Sequence, residues 1–402
     1  MKILEINKFN YVQGGADKHF LDLVSLLKTK GHEVAVFAME SPKNDFSPWK
    51  KYFVSYVGYG KGDTLWQKII GTLRMFYSFE AKRKIKKLLD DFQPDIVHIH
   101  NIYHQISPSI LGEIKKRHIP IVMTVHDYKL ICPNYLLQCN GGNWEEWGSD
   151  ERYWKFVQHK CFKHSYWKSF LVMLEFRWHQ YWNSYDKHID YYLVPSQFTK
   201  TKLIAAGISR KKMDVLPLFM REQDYCEIAK VNLREKYALH FGRLSKEKGV
   251  DKLIEMFKHF PEIKLYLAGN IEDDLQIPQL PNIKHVGFLK QVELERYIRQ
   301  ALFVISPSKL PETFGLIALE AIKNGTPFIG FDTGAFSEII ADNREGYLCQ
   351  NEEEMQERIA LLARDEGLRV LFSRQSLEKA KKFNRDAYCI RIMEIFSHLK
   401  MK

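Results

Sequence analysis

Short apolar runs alternate with amphipathic stretches from the first residues of the chain. KILEINKF reads as a strand, Gly14-Gly15 as a turn, ADKHFLDLVSLLKTKG as a helix closed by Gly31, and EVAVFAM as a second strand. That is a β-α-β unit. Further strands are predicted at PDIVHIHN, PIVMTVHDY, YYLVPSQ and KMDVLPLF, which implies a mostly parallel sheet covered on both faces. After VLPLF the pattern lapses, so an interdomain connection is placed near Pro217 to Lys230. A second alternation then runs through YALHFGRL, GVDKLIEMFKHF, IKLYLAGN, IKHVGFL, VELERYIRQA, LFVISPS and a helix containing Glu320. A second doubly wound α/β lobe follows from it.

Two segments fit this plan less directly. Thr64 to Leu89 and Cys161 to His188 join helical periodicity to aromatic residues and many Lys or Arg. Helices of this kind either bury their apolar stripe on their own sheet or lie on an anionic membrane.

The length of 402 residues favours two domains, and 45% hydrophobic with 27% charged residues describes a globular chain. No signal-peptide pattern opens the sequence and no apolar run reaches spanning length, so a cytoplasmic protein is expected. Its six cysteines are scattered and are expected to stay reduced. The net charge of +11 points to polyanionic company, whether nucleic acid, lipid headgroups or a phosphorylated substrate.

Chemistry concentrates at a few places. In HFGRLSKEKGV, Arg243 sits at the carboxyl end of a strand and Lys248 beside the glycine that opens the next helix, which suits a diphosphate. A solvated basic loop is the alternative, for which Lys246 serves as well. In PETFGLIALEAIKNGTPFIG, a helix expected to begin near Thr313 places Glu312 and Glu320 roughly 12 Å apart along its axis. That spacing is too long for a pair of catalytic carboxylates or for a shared metal. It suits hydroxyl recognition at two ends of an extended ligand, although each glutamate alone fits an ordinary helix position.

The pair Gly14-Gly15 lacks the third glycine of a dinucleotide fingerprint, and His126 in MTVHDY lies at a strand's carboxyl end. His98 and His100 share one face of a strand and with His104 could be imagined as a metal site, but no carboxylate or thiolate supports it, so a metal is not expected there. Cys132, Cys139 and Cys161, with His159 and His164, lack the paired spacing of a structural zinc site. The chain contains no Asp-x-Asp, the simplest device for holding a nucleotide-sugar diphosphate through a divalent ion.

In this order GGADKHF, VHIHN, TVHDYKLICPN, YLVPSQFTK, FGRLSKEKG, HVGF and PETFGLIALEAIKNGTP resemble the retaining glycosyltransferases of family 4, over nearly the whole chain. The resemblance implies the α/β GT-B fold, with two Rossmann-like doubly wound lobes facing each other across a cleft. Residues 1–216 would be the acceptor-binding lobe, 217–382 the linker and nucleotide-sugar-binding lobe, and 383–402 a C-terminal helix returning to the first lobe. It also implies a metal-independent hexosyltransferase without cofactor, moving a sugar from a nucleotide diphosphate sugar to a glycan or lipid-linked acceptor in cell-surface polysaccharide synthesis.

Carried over by motif, Arg243 and Lys248 match the diphosphate ligands, Glu320 the ribose ligand and Glu312 the residue facing the transferred sugar. Phe314, Gly315 and Leu316 would supply backbone donors, Gly15 would approach the reaction centre, His126 would stand near the sugar, and the strand holding Gly287 would pass the base. His126, Arg243, Lys248 and Glu312 are the catalytic candidates. Two departures are visible: LPLFM replaces a Pro-Asn-Gly, and DTGAFSEII lacks a Gly-Gly. An anionic membrane at the inner face of the plasma membrane is the expected partner surface, and nucleic acid is not. The alternatives are a nucleotide-sugar-converting enzyme such as an epimerase, or a basic nucleic-acid-binding protein.

Overall fold

The computed structural model describes residues 1–57, 64–139, 142–147, 151–219, 237–272 and 275–401. Most of the expected connection lies outside these residues, as does Cys226. The chain forms two compact units, Met1–Leu218 with Asp386–Lys402, and Phe219–Arg385.

In the first unit, strands β1 (Lys2–Ile6), β2 (Glu33–Phe37), β3 (Ile96–Ile99), β4 (Ile121–Thr124), β7 (Tyr191–Val194) and β8 (Met213–Val215) form one sheet in the order β2-β1-β3-β4-β7-β8. Every pairing in it is parallel. Runs such as IVHI and IVMT are buried at every position, as helices on both faces require. A small antiparallel pair, β5 (Gln138–Cys139) with β6 (Gly142–Asn143), projects from the segment after β4. The last helix, Arg385–Lys400, packs on this unit through Tyr388, Ile392 and Phe396, and ion pairs join Asp386 to Lys30, Arg391 to Asp214 and Lys400 to Asp95.

The second unit repeats the architecture with β9 (Tyr237–Phe241), β10 (Lys264–Ala268), β11 (Ile283–Gly287), β12 (Phe303–Ser306), β13 (Phe328–Phe331) and β14 (Gly346–Cys349), ordered β11-β10-β9-β12-β13-β14 and all parallel. The alternation read from sequence stops before β14 and the helices Glu352–Arg364 and Glu366–Ala380, which are capped by Asn351 and Asp365.

Two expectations need correction, and a third point was open. Thr64 to Leu89 forms two helices, Leu65–Phe76 and Phe79–Phe92, because Ser78 caps the second through its hydroxyl (Ala81 N to Ser78 Oγ, 3.1 Å). Cys139 and Cys161 are joined in a disulfide, with Cα atoms 4.9 Å apart, whereas reduced thiols are expected from composition. Asn134 Nδ2 brings these segments together by donating to the carbonyls of Gln138 (2.7 Å) and Cys161 (3.1 Å). Of the two readings open for the segment Cys161 to His188, the helix Tyr166–Tyr181 shares features of both: part of its apolar face joins the buried core through Phe176, and part stays exposed. Val172, Glu175, Phe176 and His179 face inward, while Trp167, Phe170, Leu174, Trp178 and Tyr181 are exposed.

That helix is pinned from within by a buried ion pair. Lys129 Nζ, on the segment after β4, lies 2.6 Å from Glu175 Oε2 and also donates to the Pro133 carbonyl. Removing one partner of such a pair leaves a charge without compensation. Glu175→Gln is expected to lower the unfolding free energy by about 3–5 kcal/mol. Urea denaturation monitored by tryptophan fluorescence checks this, and a loss under about 1 kcal/mol would contradict it.

Candidate functional site

Ligands of open parallel sheets gather at the carboxyl ends of the strands, so the loops there define the site. In the second unit three close backbone approaches shape them. A Cβ on Gly269 would meet Gly242 O at 1.8 Å, one on Gly249 would meet Pro307 O at 2.6 Å, and one on Gly334 would meet Glu312 N at 2.2 Å. All four glycines named here have positive φ, as the tight turns require. The loops after β9, β10, β12 and β13 are thereby drawn onto one edge.

Arg243 follows Gly242 and is exposed, with Glu247 Oε2 3.1 Å from Nη2 and Glu272 Oε1 3.4 Å from Nη1. These partners are half-exposed, so the pairs are weakly held and exchangeable. Lys248, half-buried, precedes the helix Val250–Phe257, whose N-cap is Gly249 at φ +76°. Its ammonium forms an ion pair with Glu312, 64 residues away in sequence. His240, buried on β9, donates from Nδ1 to the Ile305 carbonyl (2.8 Å), which leaves Nε2 an acceptor. Burial, with Lys248 nearby, lowers its pKa to about 4.

The helix holding Glu320 begins at Leu316, later than expected, with Gly315 as its N-cap at φ +96°. Glu312 therefore belongs to the preceding loop, and helical rise does not set its distance from Glu320. The loop after β13 accompanies this: a Cβ on Gly315 would meet the Phe336 ring at 2.7 Å, and the Ala335 amide donates to Glu312 O (2.9 Å). The DTGAFSEII departure thus meets the site, since Gly334 backs directly onto Glu312. Glu320 is buried on that helix, and Phe314 is buried against Phe383, ring centroids 5.9 Å apart. Gly287 ends β11 at φ +81° and its carbonyl accepts from the Gly269 amide (2.8 Å), beside a register shift in β10. The first amides of the helices at Val250 and Leu316 have no intrahelical acceptor, and the Val250 amide donates back to the Ser245 carbonyl (3.2 Å).

In the first unit, Gly15 begins the helix Gly15–Thr29, and Asp17 accepts from the Gly14 amide (3.1 Å) and from Asn7 Nδ2 (2.9 Å). His126 lies just beyond β4, with its Nε2 2.8 Å from His100 Nδ1. The expectation that no carboxylate accompanies His98 and His100 is corrected by Glu5, which faces both rings from β1 at 3.0 Å. Their separation of more than 90 residues hid it. His104 lies elsewhere, 3.9 Å from Glu175. Burial lowers the pKa of His19 and His100 well below 6.5 and that of His126 to about 3.

A histidine with a depressed folded pKa leaves the unfolded chain binding more protons. The stability it secures is complete above about pH 6.5 and is lost as pH falls from there towards the folded value. The unfolding free energy is therefore expected to drop between pH 7 and pH 5, by about 1.4 kcal/mol per pH unit for each neutral histidine below 6.5. Denaturation at a series of pH values checks this, with a shallower slope expected for His126→Asn; equal slopes would contradict it.

Residues 13–220 match the family model described as Glycosyltransferase Family 4, and residues 223–383 the model described as Glycosyl transferases group 1. The chain is 24% identical over 351 residues to an uncharacterised 42.6 kDa protein in the cps region of Klebsiella pneumoniae, covering 84% of this chain and 87% of that one. To the phosphatidyl-myo-inositol mannosyltransferase of Mycobacterium tuberculosis it is 23% identical over 351 residues, covering 84% and 79%. Among solved structures, HepE of Anabaena in complex with UDP and glucose aligns with a TM-score of 0.66 at 18% identity, over 99% of this chain and 100% of that one. Sucrose-phosphate synthase of Thermosynechococcus elongatus aligns with a TM-score of 0.69 at 15% identity, over 99% and 98%. These likenesses carry the fold, two Rossmann-like lobes of the GT-B type.

Proposed function

The chain belongs to glycosyltransferase family 4, and from that premise we propose that it moves a sugar, with retention at the anomeric carbon and without a metal, from a nucleotide diphosphate sugar to a glycan or lipid-linked acceptor. The observation that carries this reading is the meeting of Lys248 and Glu312 at the carboxyl edge of the second sheet. Arg243 stands on the same edge, and two helix amino-termini open there.

In this reading Arg243, Lys248 and the helix amides receive the diphosphate and stabilise charge that builds on the leaving phosphate as the sugar becomes cationic, which is electrostatic catalysis. Glu312, Glu320 and the Phe314-Gly315-Leu316 backbone hold the sugar and ribose, Gly287 borders the base, and Gly15 and His126 belong to the acceptor-side unit. The relative encoded in a cps region and the mannosyltransferase that acts on phosphatidylinositol both favour a cell-surface acceptor.

An anionic membrane is the surface we assign to the first unit. The helices Leu65–Phe76 and Tyr166–Tyr181 touch, with His179 Nε2 2.9 Å from Met75 O and the Phe76 and Trp178 rings 6.2 Å apart. Both turn large apolar side chains to solvent: Trp66, Ile69, Ile70 and Leu73 from one, Trp167, Leu174, Trp178 and Tyr181 from the other. Lys68 and Lys168 flank them, and the neighbouring helix Phe79–Phe92 carries Lys82, Arg83, Lys86 and Lys87. Aromatics with adjacent cations suit the interface of anionic lipid. No described helix is long and apolar enough to cross a membrane.

Arg243→Ala and Glu320→Ala are each expected to weaken nucleotide-sugar binding about 10–100-fold, the loss of hydrogen bonds to charged or buried groups. Thermal-shift titration over a panel of nucleotide sugars checks this and identifies the donor; unchanged affinity in either variant contradicts the assignment. Release of nucleoside diphosphate should require acceptor, and conversion of donor alone would favour an epimerase. Trp167→Ser with Trp178→Ser should reduce flotation with phosphatidylglycerol vesicles severalfold while leaving donor affinity intact. Unaltered flotation would contradict the membrane surface.

A further inference from the structure

The bond between Cys139 and Cys161 spans 22 residues of sequence, and the backbone on both sides of it is held in an uncommon conformation. Tyr135 (φ +58°) and Leu137 (φ +60°) precede Cys139, while Lys160 (φ +52°), Lys163 (φ +49°) and His164 (φ +52°) surround Cys161. Among the described residues these are five of the eleven non-glycine positions with positive φ, so strain gathers at the two cysteines. A residue with a Cβ enters the left-handed region at a cost and stays there only where its surroundings hold it.

On the Cys139 side the fold itself supplies the hold. The Tyr135 amide donates to the Cys132 carbonyl (3.1 Å), and the Leu137 carbonyl accepts from the Trp144 amide (3.0 Å). On the Cys161 side the strained residues run along the surface, with Lys163 and His164 exposed, and lead into the helix Tyr166–Tyr181, whose first turn carries the exposed Trp167. The disulfide ties this second segment to the first. Further along, the same helix has its own anchor in the buried Lys129–Glu175 pair, so loss of the tie frees its start and not its middle.

The two sulfurs also differ from the other described cysteines in access. Cys139 and Cys161 are half-buried, whereas Cys132, Cys349 and Cys389 are buried thiols. Burial pushes the thiols of Cys132 and Cys349 up to about 12, which keeps them unreactive. Lys160 and Lys163 flank Cys161 in the chain, and neighbouring cations make a thiol a better leaving group.

We propose that the Cys139–Cys161 bond is a thiol–disulfide exchange site, at which a dithiol opens, and the matching disulfide closes, the tie that holds residues 160–165 and fixes the first turn of the helix Tyr166–Tyr181. A thiolate of the dithiol attacks Cys139 Sγ, Cys161 leaves as a thiolate beside its two lysines, and the second thiol of the reagent resolves the mixed disulfide. Two electrons and two protons pass to Cys139 and Cys161, and the dithiol becomes a disulfide. Released, Lys160, Lys163 and His164 leave the left-handed region. The helix they precede carries the aromatic face assigned above to lipid, and that consequence rests on the membrane reading; the exchange does not, and it is measured without vesicles or donor.

The full-length protein, equilibrated near neutral pH in oxidised or reduced dithiothreitol, is alkylated with N-ethylmaleimide without denaturant and mapped by mass spectrometry. Cys139 and Cys161 are expected to be linked in the oxidised buffer and alkylated together in the reduced one. Cys132, Cys349 and Cys389 should stay unmodified, and the tryptophan fluorescence of the folded chain should persist in both. Brief trypsin treatment should cut after Lys160 and Lys163 about tenfold faster in the reduced form. Cys139→Ser with Cys161→Ser should be cut at that faster rate in either buffer. The proposal is overturned if the two cysteines are not linked in the oxidised buffer, if they resist reduction in the folded protein, if the link opens only on unfolding, or if trypsin cuts both forms alike. Should the double variant not fold, the two buffers compare the wild type with itself and still decide.

Discussion

The second unit is organised by the pair of Lys248 and Glu312. The cation ends the loop after β9, the carboxylate lies in the loop after β12, and they meet because glycines let the intervening backbones touch. Without ligand the pair neutralises itself, so the half-buried edge carries no unpaired charge from these two groups. In the proposed function, a diphosphate that reaches Lys248 would compete with Glu312 for it, and Glu312 would then be released to accept hydroxyls. Charge exchange of this kind would, in that proposal, make donor binding and sugar recognition one event, because neither group would reach its working partner while the other remained in place.

This view gives the glycines a mechanical role. Gly249 fits only because nothing projects towards the Pro307 carbonyl, and Gly334 only because its bare Cα rests on the Glu312 backbone. A side chain at Gly334 would displace the loop that presents Glu312. The departure from the familiar Gly-Gly in DTGAFSEII retains the one glycine that this contact needs.

The fold was largely legible because parallel strands buried on both faces leave uninterrupted apolar runs, as in FVIS and IVMT. The residues at the site were legible as types and spacings, but their pairing was not. Nothing in the interval of 64 residues between Lys248 and Glu312 signals an ion pair. Glu5 likewise lies more than 90 residues from the histidines it joins, so only strand order brings them together. The later start of the Glu320 helix is not legible in the sequence, because the Phe336 ring, 21 residues on, packs against Gly315, whose positive φ lies outside the helix. Exposure of the Tyr166–Tyr181 stripe was also invisible, since periodicity gives the width of an apolar face and not its direction.

The central claim, that Arg243 and Lys248 receive the diphosphate while Glu312 recognises the sugar, is tested most directly by isothermal titration calorimetry of Glu312→Ala with a nucleotide sugar and with the matching nucleoside diphosphate. The account predicts that the nucleotide sugar binds more weakly than to the wild type while the nucleoside diphosphate binds as well or better, because Lys248 has lost its competitor. Equal weakening of both ligands would contradict it.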